Sequence, residues 1–194
     1  MMHTAELLEF FKQRRGDAIV IPGRGGRHWV PMSDSPLDLP VGDPAMGGHA
    51  GFGLGVALAQ PKRKVVLFDS EGDILMSLGM LVTIAEQKPA NLVHLILDNG
   101  VYATTGGQPV PNAENVDYVA IARGAGYERT HEISEIEDFK EKLPKILTEA
   151  GPVFVRLRIH PEIQNEAIGK RRPWMKRTRE KIVVDLRKEL GLGK

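Results

Sequence analysis

The sequence predicts an α/β fold: a single doubly wound, mainly parallel sheet with helices on both faces. Three observations predict it. Lys64-Val65-Val66-Leu67-Phe68 and residues 91–97 are short β-branched and apolar runs that stop at acidic residues, Asp69 and Asp98, as strands do. Between them Ile74, Leu75, Leu78, Leu81, Val82 and Ala85 recur at helical spacings of one, three and four. Residues 92–97 are apolar throughout except for His94, as in a strand buried on both faces, whereas a half-exposed hairpin strand would alternate. A length of 194 residues with 42% apolar content fits one such domain with a substantial core, not two full domains.

Residues 4–15 read as an opening helix with Leu7, Leu8, Phe10 and Phe11 inward, and residues 17–21 as the first strand. Residues 22–43, rich in Gly, Pro and Asp, are mostly loop. A helix over 48–59 precedes the strand, helix, strand unit at 64–97. Asn99-Gly100 taken alone suggests a hairpin turn, but the doubly buried run before it favours a ligand loop. A short helix over 115–124, a strand over 127–131, a helix over 134–149 and a strand over 153–159 follow. Ser134 and Glu137 form a capping box for the third of these. Residues 173–190 read as an amphipathic helix beyond the sheet, so that 1–169 make the α/β domain and 170–194 a basic C-terminal helical extension.

A strand, helix, strand unit builds a parallel sheet by right-handed crossover. Both polar clusters therefore emerge at one edge, outside the carboxyl ends of the strands, where open α/β sheets bind ligands. Glu71 and Asn99 are expected to meet there although 28 residues apart. Carboxylate and amide oxygens converging at one rim can grip a hard cation and the phosphates it carries.

This arrangement resembles the C-terminal, diphosphate-binding domain of thiamine-diphosphate enzymes, most closely the sulfopyruvate and phosphonopyruvate decarboxylases and their β-subunit-like members. Met46-Gly47-Gly48-His49-Ala50 looks like that group's Met-Gly-His-Ala turn, and Gly53-Leu54-Gly55-Val56-Ala57-Leu58-Ala59 like the helix after it. Ile74-Leu75-Met76 with Gly79, Leu97-Asp98-Asn99-Gly100 and Thr105-Gly106-Gly107-Gln108 continue the match in order. One block departs. Where the family has Gly-Asp-Gly, this chain has Ser70-Glu71-Gly72-Asp73. Glu71 thus takes the metal-binding aspartate's position, with its carboxylate one methylene further out than Mg²⁺ prefers. Asp73 is the rival ligand, and Ser70 lacks the backbone freedom of glycine.

The resemblance implies the thiamine-diphosphate-binding fold, with thiamine diphosphate and Mg²⁺ as cofactors. The metal would be held by Glu71 or Asp73, the Asn99 side-chain oxygen and the Val101 carbonyl. The diphosphate would rest on backbone N–H groups around Gly72, Asp73 and Ile74, at the start of a helix whose dipole favours anions. Met46, followed by Gly47, would lie under the cofactor and force its bent shape, with carbonyls from Asp43 to Ala45 accepting from the 4′-amino group. Tyr102, Thr104, Thr105 and Gln108 lie on the loop after Asn99 and would order over the cofactor. His49 is a candidate substrate contact, with a solvated loop histidine as its simpler reading.

The family's activating glutamate belongs to a pyrimidine-binding domain for which this length leaves no room, so the resemblance implies a partner subunit as well as self-association. The function so implied is the cofactor-binding subunit of a lyase that decarboxylates a small anionic 2-oxo acid. Acetolactate synthase-like carboligation and a non-catalytic structural or regulatory role stay open.

Other readings fall away on specific residues. There are no cysteines, hence no disulfide framework or thiolate metal site. Residues 1–11 carry acids and lack the long apolar stretch of a secretory signal, and no run approaches the ~20 apolar residues of a membrane span, so the cytoplasm is the expected location. A net charge of +1 gives no global preference for nucleic acid. The basic cluster Lys170, Arg171, Arg172, Lys176, Arg177, Arg179 and Lys181 reads as a solvated helix face or a subunit contact, because no nucleic-acid motif accompanies it. The dinucleotide fingerprint fails at Val56 and at His28, where its last glycine should stand. Arg24, Arg27 and His28 follow the first strand on the ligand edge, placed to meet an anionic group. His94, within an apolar strand, reads as a satisfied core histidine.

Overall fold

Strand-forming and helical runs alternate along the chain, and the fold follows that alternation. The computed structural model describes residues 1–40, 46–164, 166, 170 and 176–193. Helix α1 (Thr4–Lys12), strand β1 (Ile19–Pro22) and the short helix α2 (Trp29–Met32) precede α3 (His49–Ala59). Then come β2 (Val65–Ser70), α4 (Glu71–Leu75), α5 (Gly79–Gln87) and β3 (Leu92–Asp98). A two-stranded antiparallel ribbon, β4 (Val101–Tyr102) with β5 (Gln108–Pro109), encloses a 3₁₀ turn at Ala103–Thr105. The chain continues through α6 (Tyr118–Ala125), β6 (Arg129–Ile133), α7 (Ile136–Thr148), β7 (Val153–Arg158) and α8 (Arg179–Glu189).

Five strands form one sheet in the order β1-β2-β3-β7-β6, every pairing parallel. Successive side chains of a strand point to opposite faces, and helices cover both. Ile19, Ile21, Val65, Leu67, Leu92 and Ile96 pack against α3, α5 and α6. Val20, Val66, Phe68, Val93, Leu95 and Leu97 pack against α1 and α7. This is why β3 is apolar along its whole length: it sits at the centre of the sheet, buried throughout. β6, with the polar sequence Arg-Thr-His-Glu-Ile, occupies an edge and is only partly buried. No helix among the described residues is long and apolar enough to cross a membrane.

Three local expectations are corrected. The helix expected through 74–85 is two helices, because the chain turns at Met76-Ser77-Leu78 and the Ser77 hydroxyl donates to the Gly47 carbonyl at 2.8 Å. The capping box does not form. α7 starts at Ile136 with Glu135 as its cap, which places Ser134 one residue too early, and Glu137 instead accepts from Lys140. The loop after β1 contains the short helix α2, whose Trp29 is fully buried against Phe11 and Phe68. The C-terminal helix begins at Arg179, capped by Thr178, and its Ile182 is buried in the α3, α5 and α6 core. Of the segment read as its first half, residues 173–175 lie outside the described residues.

Register positions the site. Ser70 lies beside Leu97 across the β2–β3 pair, so the chain leaves both strands at the same level of the sheet.

Candidate functional site

Glu71 and Asn99 meet, as the crossover geometry requires. The Asn99 backbone N–H donates to Glu71 Oε1 at 3.3 Å, and the Asn99 side-chain oxygen accepts from the Val101 N–H at 2.9 Å. Glu71 is 1% exposed. Its second oxygen, Oε2, is buried and has no hydrogen-bond partner among the described residues. Burial, with the neighbouring Asp98 carboxylate adding to it, pushes the Glu71 pKa up to about 8, against the opposing pull of backbone N–H groups at Asn99 and Gly100. Asp98 is held separately by Arg156 at 2.7 Å. A buried carboxylate oxygen without a partner is costly, and a hard divalent cation would satisfy it. The donor set of carboxylate and amide oxygens suits such a cation.

Asp73 faces elsewhere. Its Oδ1 accepts from the Gly47 N–H at 2.9 Å and its Oδ2 lies 2.9 Å from His49 Nδ1. Burial alone would raise its pKa, but hydrogen bonds from His49, the Asp69 carboxyl and the Gly47 amide outweigh it and hold the group below the usual carboxylate range. Asp69 is the complement. Full burial raises its pKa, with the neighbouring Asp73 carboxylate adding to the rise, against the opposing pull of His94. His94 Nε2 lies 3.1 Å from Asp69 Oδ2, and Tyr127 closes the chain at 3.5 Å from Nδ1. His94 is the satisfied core histidine expected. His49 is not a solvated loop residue: it opens α3, 1% exposed, behind the Gly47 turn. His49, Asp69 and Asp73 lie close enough together to hold a metal ion, but their oxygens and nitrogens already engage one another. The sequence reading missed this polar chain, since nothing in the local pattern pairs a residue on α3 with one on α4.

Ser70 departs from the glycine pattern without strain. Its φ is −129°, which any residue adopts, and its hydroxyl caps α4 by accepting from the Asp73 N–H at 3.2 Å. Gly72 is needed for a different reason: a Cβ there would stand 2.7 Å from the Tyr102 ring. Gly47 does require glycine, with φ +85°.

A cleft of about 550 Å³, open to solvent, lies along this edge. Met46, Gly72, Asn99, Val101, Tyr102 and Thr104 line it, together with Arg24, Arg27 and His28 from the loop after β1. Arg27 donates to the Glu162 carbonyl at 2.6 Å, and His28 Nε2, 3.1 Å from Arg27 Nε and 2.9 Å from the Glu162 carboxylate, accepts from the first when unprotonated or donates to the second when protonated. Ile74 is buried in the core, and residues 43–45, Ala45 among them, lie outside the described residues.

Residues 26–157 match the model of the thiamine pyrophosphate enzyme C-terminal TPP binding domain. The chain belongs to this family. It is 36% identical over 163 residues to sulfopyruvate decarboxylase subunit beta of Methanothermobacter thermautotrophicus, covering 83% of this chain and 84% of that one. It is 45% identical over 117 residues to phosphonopyruvate decarboxylase of Streptomyces viridochromogenes, covering 60% of this chain but only 29% of the relative. The chain thus spans under a third of the phosphonopyruvate decarboxylases it matches. In fold it is similar to the X-ray structure of a Mycobacterium smegmatis protein assigned as a thiamin diphosphate-dependent enzyme, with a TM-score of 0.69 at 23% identity, over 82% of this chain and 32% of that one. The thiamine-diphosphate-binding domain expected from the motifs is the domain found.

Proposed function

We propose that this chain is the thiamine-diphosphate-binding subunit of a 2-oxo acid decarboxylase of the sulfopyruvate or phosphonopyruvate type, its active site completed by a partner subunit carrying the pyrimidine-binding domain. The observation that carries the reading is the meeting of Glu71 and Asn99 at one rim of the sheet, with a buried Glu71 oxygen left without a partner among the described residues. The near full-length match to a chain named as a beta subunit supports the need for a second chain.

In this reading Glu71, the Asn99 side-chain oxygen and the Val101 carbonyl hold Mg²⁺, while Asp73 is committed to Gly47 and His49. Gly72 lets the cofactor and the Tyr102 ring approach the backbone closely. Met46 lines the cleft where an apolar support for the cofactor is expected, and Thr104 stands on the turn above Asn99. Arg27 brings positive charge to the same cleft, beside a His28 whose pKa burial lowers, and suits a small anionic substrate. When bound, the thiazolium of the cofactor supplies the nucleophilic carbon and accepts the electrons released with carbon dioxide. The chain's own residues bind, orient and partly desolvate.

The test is to purify the chain with whatever subunit accompanies it and add thiamine diphosphate, Mg²⁺ and a panel of 2-oxo acids. Release of carbon dioxide from a doubly anionic 2-oxo acid supports the reading. Condensation of two pyruvate molecules in place of simple decarboxylation would move the assignment to carboligation, and no turnover by a cofactor-loaded complex would reject it.

A further inference from the structure

The charge balance of the cleft exposes a role that the family motif does not require. A diphosphate carries more negative charge than one divalent cation neutralises, and here the cation's neighbours, Glu71 and Asp98, are themselves acidic. The helix beginning at Glu71 has only five residues, and the amide of Asp73 already donates to Ser70 Oγ, so backbone dipoles supply little of the remainder. Positive charge must come from side chains.

Arg24 is placed to supply it. Its side chain lines the cleft with Gly72 and Asn99 and is a quarter exposed. Its Nε lies 3.9 Å from Asp73 Oδ1, and its Nη1 donates to Thr104 Oγ1 at 3.4 Å. The guanidinium therefore stands between the β2–α4 junction and the turn beyond Asn99, the two segments that face the cofactor. Behind it, Asp73 is fixed by the Gly47 amide and by His49. It is an anion with a defined position and a cation beside it.

We propose that Arg24 binds the diphosphate directly, and that Asp73 is a positioning residue for Arg24 and the Gly47 turn rather than a metal ligand. This rests on the cofactor reading above. An arginine fits the role because its planar fork of five donors matches phosphate oxygens and can face a carboxylate and a phosphate together.

Calorimetry of the full-length chain with magnesium pyrophosphate tests it. Charge-assisted hydrogen bonds make the expected loss for Arg24→Ala or Arg24→Gln about 10- to 100-fold in affinity, with Arg24→Lys in between. Asp73→Asn, which keeps an acceptor for the Gly47 amide, should weaken binding several-fold in the wild-type background and have little further effect in an Arg24→Ala background. Additive losses in that cycle would show that Asp73 acts on the metal or on the fold and would overturn its positioning role. Should Asp73→Asn fail to fold, unchanged pyrophosphate affinity in Arg24→Gln would still refute the role of Arg24 on its own. Wild-type protein that does not bind magnesium pyrophosphate at all would instead refute the cofactor reading on which the proposal stands.

Discussion

Glu71 is a buried acid whose ionised form is satisfied at one oxygen only, and that fixes the pH behaviour of the metal-free protein. Its pKa rises from the ordinary 4.5 to about 8 in the folded chain. Between those values the unfolded chain has lost the proton while the folded chain keeps it, so stability falls as pH rises through that window. Denaturant titrations without Mg²⁺ should show a lower midpoint at pH 8 than at pH 5, and Glu71→Gln should flatten that difference. The meeting of Glu71 with Asn99 was legible in the sequence because it depends only on strand ends and a right-handed crossover. Which of Glu71 and Asp73 lies beside Asn99 was not, because it depends on which way two neighbouring carboxylates turn. His49 on α3 decides that, and no local spacing reports it.

At the scale of elements, β3 and its neighbours were readable because complete burial demands an unbroken apolar run, and each strand of the five-stranded sheet ended within a few residues of its expected position, whereas the β4–β5 ribbon was not expected. Breaks were less readable. The chain turns between α4 and α5 at Met76-Ser77-Leu78, where Ser77 is tied to Gly47 across the site, a long-range contact invisible to helical periodicity. The loop after β1 approaches the end of β2 so closely that a Cβ at Gly25 would stand 2.1 Å from the Asp69 carbonyl oxygen. Gly25→Ala must displace backbone, and we expect it to destabilise the chain by about 1–3 kcal/mol in urea unfolding, with loss of magnesium pyrophosphate binding. Leu95→Ala, at a fully buried position in the centre of the sheet, should cost about 2–5 kcal/mol.

At the scale of the whole molecule, the chain supplies the diphosphate end of a site whose other end the proposed function assigns to a partner. Met76 and Val82, on the α4–α5 segment beyond the cleft, are more than half exposed. The division of labour predicts a split in affinities. Magnesium pyrophosphate should bind the isolated chain about as tightly as the assembled complex, whereas thiamine diphosphate should bind the complex more tightly, a comparison that calorimetry makes directly. Equal gains for both ligands would mean that the partner acts on the diphosphate end.

The central claim is that Glu71 and Asn99 hold one divalent cation that carries the cofactor's phosphates. Its most direct test is calorimetric titration of thiamine diphosphate into the full-length chain, with and without Mg²⁺, in the wild type and in Asn99→Ala. The account predicts binding that requires Mg²⁺ and is weakened at least about 10-fold by the substitution, the scale of one charge-assisted contact. Binding that ignores Mg²⁺, or that survives Asn99→Ala unchanged, would contradict it.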